Sequence, residues 1–279
     1  MGHRRTSDRQ VRNRLVALFT VVVIAAIAIG YAAGTFAPSF TAASVDAAAT
    51  LPPGSDGELI RYGRDLIDET PKYAGGFITA RMSCAACHPG GGVVRHEGSM
   101  LGQYARYPRW NSRAHRFIAL QDRIAECFLY SMNGRTPPYY SREMIAITAY
   151  MAWLSRGARV GQGFLYQGDF RIQAPEAADK ARGAGVYAST CMRCHGADGN
   201  GAGAVYPPLW GPQSFNDKAG MASVPTMARF VYAAMPQDHP RTLTAQQAFD
   251  VAAYVLSHPR PRFDPSRKIE FPSERAGYF

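Results

Sequence analysis

The chain has 279 residues, 47% hydrophobic and 19% charged, proportions that fit a folded globular protein and exclude a disordered one. Its length allows one or two domains plus extensions. The formal charge is +10, but there is no nucleic-acid motif and no lysine-rich tail, so nucleic acid is not an expected partner.

Much of the positive charge lies at the start. Residues 1–14 hold Arg4, Arg5, Arg9, Arg12 and Arg14 against the single acid Asp8. From Leu15 to Gly34 there are twenty residues without a charge, about the length needed to cross roughly 30 Å of hydrocarbon. The expectation is a transmembrane anchor at 15–36, with the basic segment 1–14 in the cytoplasm and everything after the anchor outside. In a bacterium this ties the protein to the inner membrane with its globular part in the periplasm. The alternative is a cleaved signal peptide, with small residues around Ala42–Ala49 as the cleavage site and a soluble periplasmic product. Such signals have apolar runs of about 7–15 residues, shorter than this one. Residues 37–55, rich in Ala, Ser, Thr, Pro and Gly, read as a flexible tether.

A first globular unit is expected at 56–157. Leu59, Tyr62, Leu66 and Ile67 recur at helical spacing between Glu58 and Thr70, and Pro71 is expected to stop the run. Next comes Cys84-Ala85-Ala86-Cys87-His88, then Pro89-Gly90-Gly91-Gly92, where no regular element persists. A helical pattern from Ser141 to Leu154 gives Ile145, Tyr150, Trp153 and Leu154 as expected core, with Gly157 at its end. Residues 158–175 form a linker. The second unit, 176–262, repeats the plan. A helix from about Glu176 to Ser189 leads into Cys191-Met192-Arg193-Cys194-His195 and a Gly-rich loop from Gly196 to Gly203. A closing helix from Ala245 to Ser257 carries Ala248, Val251, Ala252 and Val255 on one face, with Thr244 as N-cap. The tail 263–279 yields no chemistry; together with the residues just before it, from Pro259, it reads as extended surface wrapping.

C-x-x-C-H is the attachment signature of a c-type haem: two thiols three positions apart meet the two vinyl groups, and the adjacent imidazole becomes the proximal iron ligand. The motif occurs twice, with no further cysteine pair to complete a zinc tetrad. Two covalently bound c-type haems follow, attached at Cys84 and Cys87 and at Cys191 and Cys194, with His88 and His195 as iron ligands. A helix before each motif and another closing each unit is the plan of a cytochrome c fold. The expected fold class is therefore mainly α: two tandem cytochrome c-like domains after an N-terminal transmembrane helix.

The internal repeat helps to locate the second axial ligands. Met235, followed by Pro236, lies 40 residues after His195 and suits a His/Met haem, a pairing that raises the potential; Met221, Met227 and His239 are alternatives. At the matching distance of 39 residues after His88 stands Cys127, the one cysteine outside the motifs. A thiolate is a soft, electron-donating ligand that favours ferric iron. Met132, Met100, His96 and His115 compete with it. Between Arg95 and Arg123 there are six arginines against Glu97 and Asp122. Guanidinium groups suit oxyanions, so beyond those that pair with haem propionates the cluster offers a site for a small anion near the first haem.

The segment Arg123-Ile-Ala-Glu-Cys127-Phe-Leu-Tyr-Ser131-Met-Asn-Gly134 resembles the R-I-x-x-C-F-x-x-S-M-N-G signature of the thiosulfate dehydrogenase family of dihaem cytochromes, relatives of the cytochrome subunit of the sulfur-oxidising Sox system. Tyr107-Pro108, Arg113, Ala149-Tyr150-Met151, Trp153-Leu154, Met235-Pro236 and the run from Ala248 to Val255 extend the likeness over roughly residues 55–262. The resemblance implies that two thiosulfate ions are joined to tetrathionate at a His/Cys haem with Cys127 as distal ligand. It also implies that Arg113 and Arg123 hold the anion with Ser131 nearby, and that a second haem ligated by Met235 passes electrons to a small cytochrome c or a terminal oxidase. The chain departs from the family pattern in having Gly90-Gly91-Gly92 where a Gln follows the first haem histidine, and Ala234 where a Lys often precedes the second-haem Met. The expected function is oxidation of thiosulfate to tetrathionate, or the reverse reduction of tetrathionate. The alternative is a non-catalytic dihaem cytochrome relaying electrons between a dehydrogenase and a terminal oxidase, which would have no need of Cys127 or the arginines.

Overall fold

The computed structural model describes residues 51–94, 98–160, 172–203 and 205–267, together with positions 17, 18, 20–22 and 25. The chain divides into two units, residues 1–41 and 42–279. In the first, the few described positions are helical, and Leu18, Val21 and Val22 are exposed. The rest of the expected basic segment and anchor, and the Ala42–Ala49 stretch, lie outside the described residues. Among the described residues, no helix is long and apolar enough to cross a membrane.

The second unit holds two similar helical domains. In the first domain α1 runs over Gly54–Asp68 and buries Gly63, Leu66 and Ile67 on one face. It ends two residues earlier than Pro71 suggested. Pro71 instead opens a further single turn, Thr70–Tyr73, where its missing N–H is no loss. The short α2, Leu120–Glu126, continues into a wider turn over Cys127–Ser131, closed by the Met132 N–H donating to the Cys127 carbonyl at 2.9 Å. Such i→i+5 turns are rare and concentrate at functional sites. The closing helix α3, Arg142–Trp153, is capped by the Ser141 hydroxyl, which accepts from the Met144 N–H at 3.2 Å. Tyr150, Trp153 and Leu154 are buried as expected, but Ile145 is 44% exposed. The 3-4-3 spacing of Met144, Ile147, Met151 and Leu154 defines the inner face, and Ile145 falls outside it. A two-stranded hairpin, β1 (Arg109–Asn111) and β2 (Arg116–Ile118), stands before α2.

The second domain repeats the arrangement. α4, Lys180–Val186, starts later than Glu176 because Asp179 caps it, accepting from the Arg182 N–H at 2.8 Å. It runs on through a wide turn, Tyr187–Cys191, into the motif turn Met192–His195. α5 spans Val224–Ala234 and α6 spans Ala245–Leu256, the latter opened by a capping box between Thr244 and Gln247. Ala248, Val251, Ala252 and Val255 are all buried, together with Tyr187, Trp210 and Phe215.

In both domains the opening helix crosses the closing helix at a glycine. A methyl group at Gly63 would collide with the Ala146 carbonyl, and one at Gly183 with the Asp250 carbonyl. Each contact is followed four residues later by a tyrosine, Tyr150 or Tyr254, so the repeat read from the motifs extends to the packing.

The two domains are joined by hydrogen bonds concentrated on residues 129–133. Asn216 of the second domain is fully buried; its amide donates to the Leu129 carbonyl at 2.9 Å and to Asn133 Oδ1 at 3.2 Å, and its backbone N–H donates to the Tyr130 carbonyl at 3.1 Å. The Arg81 backbone N–H donates to the Gln213 carbonyl at 2.9 Å and its guanidinium to the Asn200 carbonyl. After α6 the chain returns towards the first domain, where Phe263 packs edge-on against Tyr130 at 5.0 Å and Arg267 donates to the Asn133 carbonyl. The surface wrapping expected of the tail thus begins within 259–267; residues 268–279 lie outside the described part.

Candidate functional site

Each domain contains one cavity built around its C-x-x-C-H motif. The first, about 390 Å³, is lined by Cys84, Cys87 and His88 and also by Cys127, Ser131 and Arg123. The second, about 430 Å³, is lined by Cys191, Cys194 and His195 together with Met235 and Pro236. Cys87 lines both, so the loop carrying the first motif is also a wall of the second cavity.

The two histidines are held alike. His88 Nδ1 lies 2.6 Å from the Gly98 carbonyl and His195 Nδ1 lies 3.0 Å from the Pro207 carbonyl. These bonds fix the protonated nitrogen at Nδ1 and leave Nε2 as the ligating atom. Burial lowers the pKa of both rings, which keeps them neutral as iron ligation requires. The backbone leading into the first motif is held by Thr70, whose hydroxyl accepts from the Cys84 N–H at 2.9 Å.

The haem groups fit these cavities. All five cysteines are free, so neither motif pair is consumed by a disulfide. In the first cavity Gln103 Nε2, Arg109 Nε and Arg229 Nε are buried donors without a hydrogen-bond partner. Buried donors are rarely left unpaired; three around one cavity match bound groups that carry anionic oxygens, the propionates of a porphyrin among them. Among the described residues no cluster of three or more His, Cys, Asp or Glu could hold a bare metal ion.

Most of the expected site residues are brought together. Arg123 donates to Glu126 Oε2 at 3.4 Å, and Glu126 also accepts from Asn111 Nδ2 at 2.9 Å. The neighbouring Cys127, then Glu126, raises the Arg123 pKa, and this guanidinium is a cation beside the cysteine sulfur. Burial raises the Tyr107 pKa, and its phenol stays protonated as a donor. Arg113 is placed elsewhere: it is exposed, donates to the Lys218 carbonyl at 3.0 Å and lies over the Tyr130 ring at 4.8 Å, at the domain boundary and not on the cavity wall. Of the rest of the cluster, Arg109 lines the cavity, while Arg106 donates to Gln103 and Arg116 pairs with Asp122; Arg95 lies outside the described residues.

Of the competing ligands, Met100 and Met132 line the first cavity and Met221 and Met227 the second. His115 is exposed on the hairpin turn and His239 is exposed beside Asp238; neither lines a cavity. His96 lies outside the described residues. Sequence reasoning missed Gln103 and Tyr107, and above all Arg229. Arg229 belongs to the second domain yet lines the first cavity, and nothing in its local sequence signals that.

Residues 76–160 match the family model described as SoxA/TsdA, cytochrome c domain, and residues 178–255 match that of cytochrome c oxidase, cbb3-type, subunit III. The chain is 37% identical to a thiosulfate dehydrogenase of Allochromatium vinosum over 85% of its own length and 91% of that protein's. It is 38% identical to one from Stutzerimonas stutzeri, covering 79% of this chain and 73% of the relative. The chain belongs to the thiosulfate dehydrogenase family. As a member of that family it is an oxidoreductase with two cytochrome c domains, and a c-type haem is its implied cofactor. A solved structure of thiosulfate dehydrogenase (TsdBA) from Marichromatium purpuratum, in its as-isolated form, superposes with a TM-score of 0.74 at 36% identity. That match covers 82% of this chain and 51% of the other, so the present chain spans about half of that larger protein.

Proposed function

We propose that this member of the thiosulfate dehydrogenase family oxidises thiosulfate to tetrathionate in its first cavity and passes the electrons through its second to an external acceptor, such as a small cytochrome c or a terminal oxidase. The protein is proposed to work from the bacterial inner membrane, its globular domains in the periplasm and the uncharged segment at 15–36 as anchor; the basic flank and the length of that segment support this.

In the reaction two thiosulfate dianions form one new S–S bond and release two electrons, and no proton moves. The site therefore needs positive charge and hydrogen-bond donors more than an acid or base. Arg123 supplies a permanent cation, and the Ser131 hydroxyl and Tyr107 phenol supply donors on the same cavity wall. Bound haem supplies one-electron chemistry that stores and hands on the released electrons. His88 and Cys127 would hold the first iron, and His195 and Met235 the second. Cys87, which would be bonded to the first haem, also lines the second cavity and would bring the two groups close enough for electron transfer.

The observation that carries this reading is the presence of Cys127 in one cavity with His88, Arg123 and Ser131. A pure relay would be served by methionine ligands and has no use for this group. The test is to add thiosulfate to the purified oxidised protein and follow haem absorption. Haem reduction, with one tetrathionate formed per two thiosulfates when an artificial acceptor is supplied, is expected. No reduction, with or without acceptor, would sink the reading.

A further inference from the structure

We propose that Arg229, a residue of the second domain, is a substrate-binding residue of the first domain's cavity, so that the anion is held between the two domains. The inference rests on the thiosulfate chemistry proposed above and assigns it a residue that the family signature does not contain.

Arg229 lies on α5, whose residues Met227, Phe230 and Val231 line the second cavity, while Arg229 itself lines the first. One helix therefore forms part of both walls. The Nε of Arg229 is buried and has no hydrogen-bond partner. Arg123, in the same cavity, is already engaged by Glu126; no carboxylate pairs with Arg229 among the described residues. A guanidinium is a donor-only, fork-shaped cation suited to two oxygens of one oxyanion, and the three-oxygen end of thiosulfate presents such a pair.

Two other unpaired donors, Gln103 Nε2 and Arg109 Nε, share this cavity but come from a single stretch of the first domain, on either side of Tyr107. In this assignment they are the partners of the haem carboxylates. Arg229 arrives from the other domain. The short turn Gly220–Ala222, just ahead of α5, packs on the Cys127–Ser131 turn, and Asn216 fastens the same region to Leu129 and Asn133. The helix carrying Arg229 is thus anchored to the segment that supplies Cys127 and Ser131, which is where a substrate oxyanion has to be held. The two thiosulfate dianions must come together against their mutual repulsion, and a cation not neutralised by a carboxylate offsets that repulsion more than a paired one does.

The experiment uses the full chain carrying both haems, as wild type, Arg229→Gln and Arg229→Lys. Haem content per chain checks that each variant folds. Three quantities are measured: the Kd of tetrathionate for the oxidised protein, KM against kcat for thiosulfate, and the midpoint potential of the first haem without substrate. Arg229→Gln is expected to raise both Kd and KM by about 10- to 100-fold, with Arg229→Lys in between and the substrate-free potential unchanged. Binding by Arg229→Gln within twofold of wild type overturns the proposal. A shifted potential with intact anion binding overturns it too, because Arg229 would then serve a haem carboxylate. If wild type itself is not reduced by thiosulfate, the proposed function fails; if wild type is reduced and Arg229→Gln behaves identically, only the role of Arg229 fails.

Discussion

Cys127 and Arg123 lie four positions apart on one continuous helical segment, which puts the sulfur and the guanidinium on the same side. That proximity explains why the Arg123 pKa is raised first of all by Cys127. With Cys127 as the proposed iron ligand, its replacement by Met would exchange a thiolate for a thioether, and with it the first haem potential should rise. Thiosulfate oxidation should fall on the order of 100-fold or more, while haem content stays at wild-type level because Cys84 and Cys87 are untouched. Redox titration and steady-state turnover check the two halves separately. Arg123→Gln removes the cation beside Cys127 and leaves buried Glu126 with Asn111 as partner. Its turnover should drop by about 100- to 1000-fold, and saturating thiosulfate should not restore it.

The helices are held by two kinds of contact that the sequence pattern does not display. One is the glycine crossing. Gly183→Ala forces a methyl into the Asp250 carbonyl, and the resulting displacement of α4 from α6 should cost about 1–3 kcal/mol, seen as a lower unfolding midpoint for the second domain. The other is the buried carboxylate of Asp250. It accepts from Arg182 Nε at 2.7 Å, from the Asp179 N–H at 2.8 Å and from Gln246 Nε2 at 2.9 Å, and Glu176 shares Arg182 at 3.4 Å. The Arg182 hydrogen bond is the main reason that the Asp250 pKa is lowered. A carboxylate with a lowered folded pKa contributes stability that is complete above its unfolded value, near about 3.9, and is lost as pH falls through the folded value. Asp250→Asn should therefore cost about 1–3 kcal/mol near neutral pH. The gap to wild type should close only below about pH 4, which urea unfolding at several pH values would reveal.

At the scale of the whole molecule, the second domain has two tasks. It carries the cavity proposed for electron exit, and it fastens the segment that follows Cys127. Asn216 is the main fastener, with three hydrogen bonds onto Leu129, Tyr130 and Asn133. Asn216→Ala strands the buried Leu129 carbonyl and should cost about 1–3 kcal/mol. Because the lost bonds hold the Cys127–Ser131 turn, the absorption of the first haem should broaden while that of the second remains as in wild type. Equal effects on both haems would show that Asn216 stabilises the domains generally.

How much of this was legible in the chain depends on distance along it. Attachment motifs, helix periodicity, the N-cap Thr244, and the shared spacing of Cys127 and Met235 after their histidines are short-range or repeated signals, and residues alone determined them. Side chains that meet across the domain boundary leave no such trace. The family resemblance implied a substrate-holding role for Arg113, but its guanidinium meets the Lys218 carbonyl and the Tyr130 ring at the domain boundary. Arg229, just over a hundred residues after Cys127, takes a place on the first cavity's wall. The reason is geometric: α5 must turn its apolar face to the second cavity and the core, so its opposite side faces whatever the other domain presents. Only the tertiary structure decides what that is.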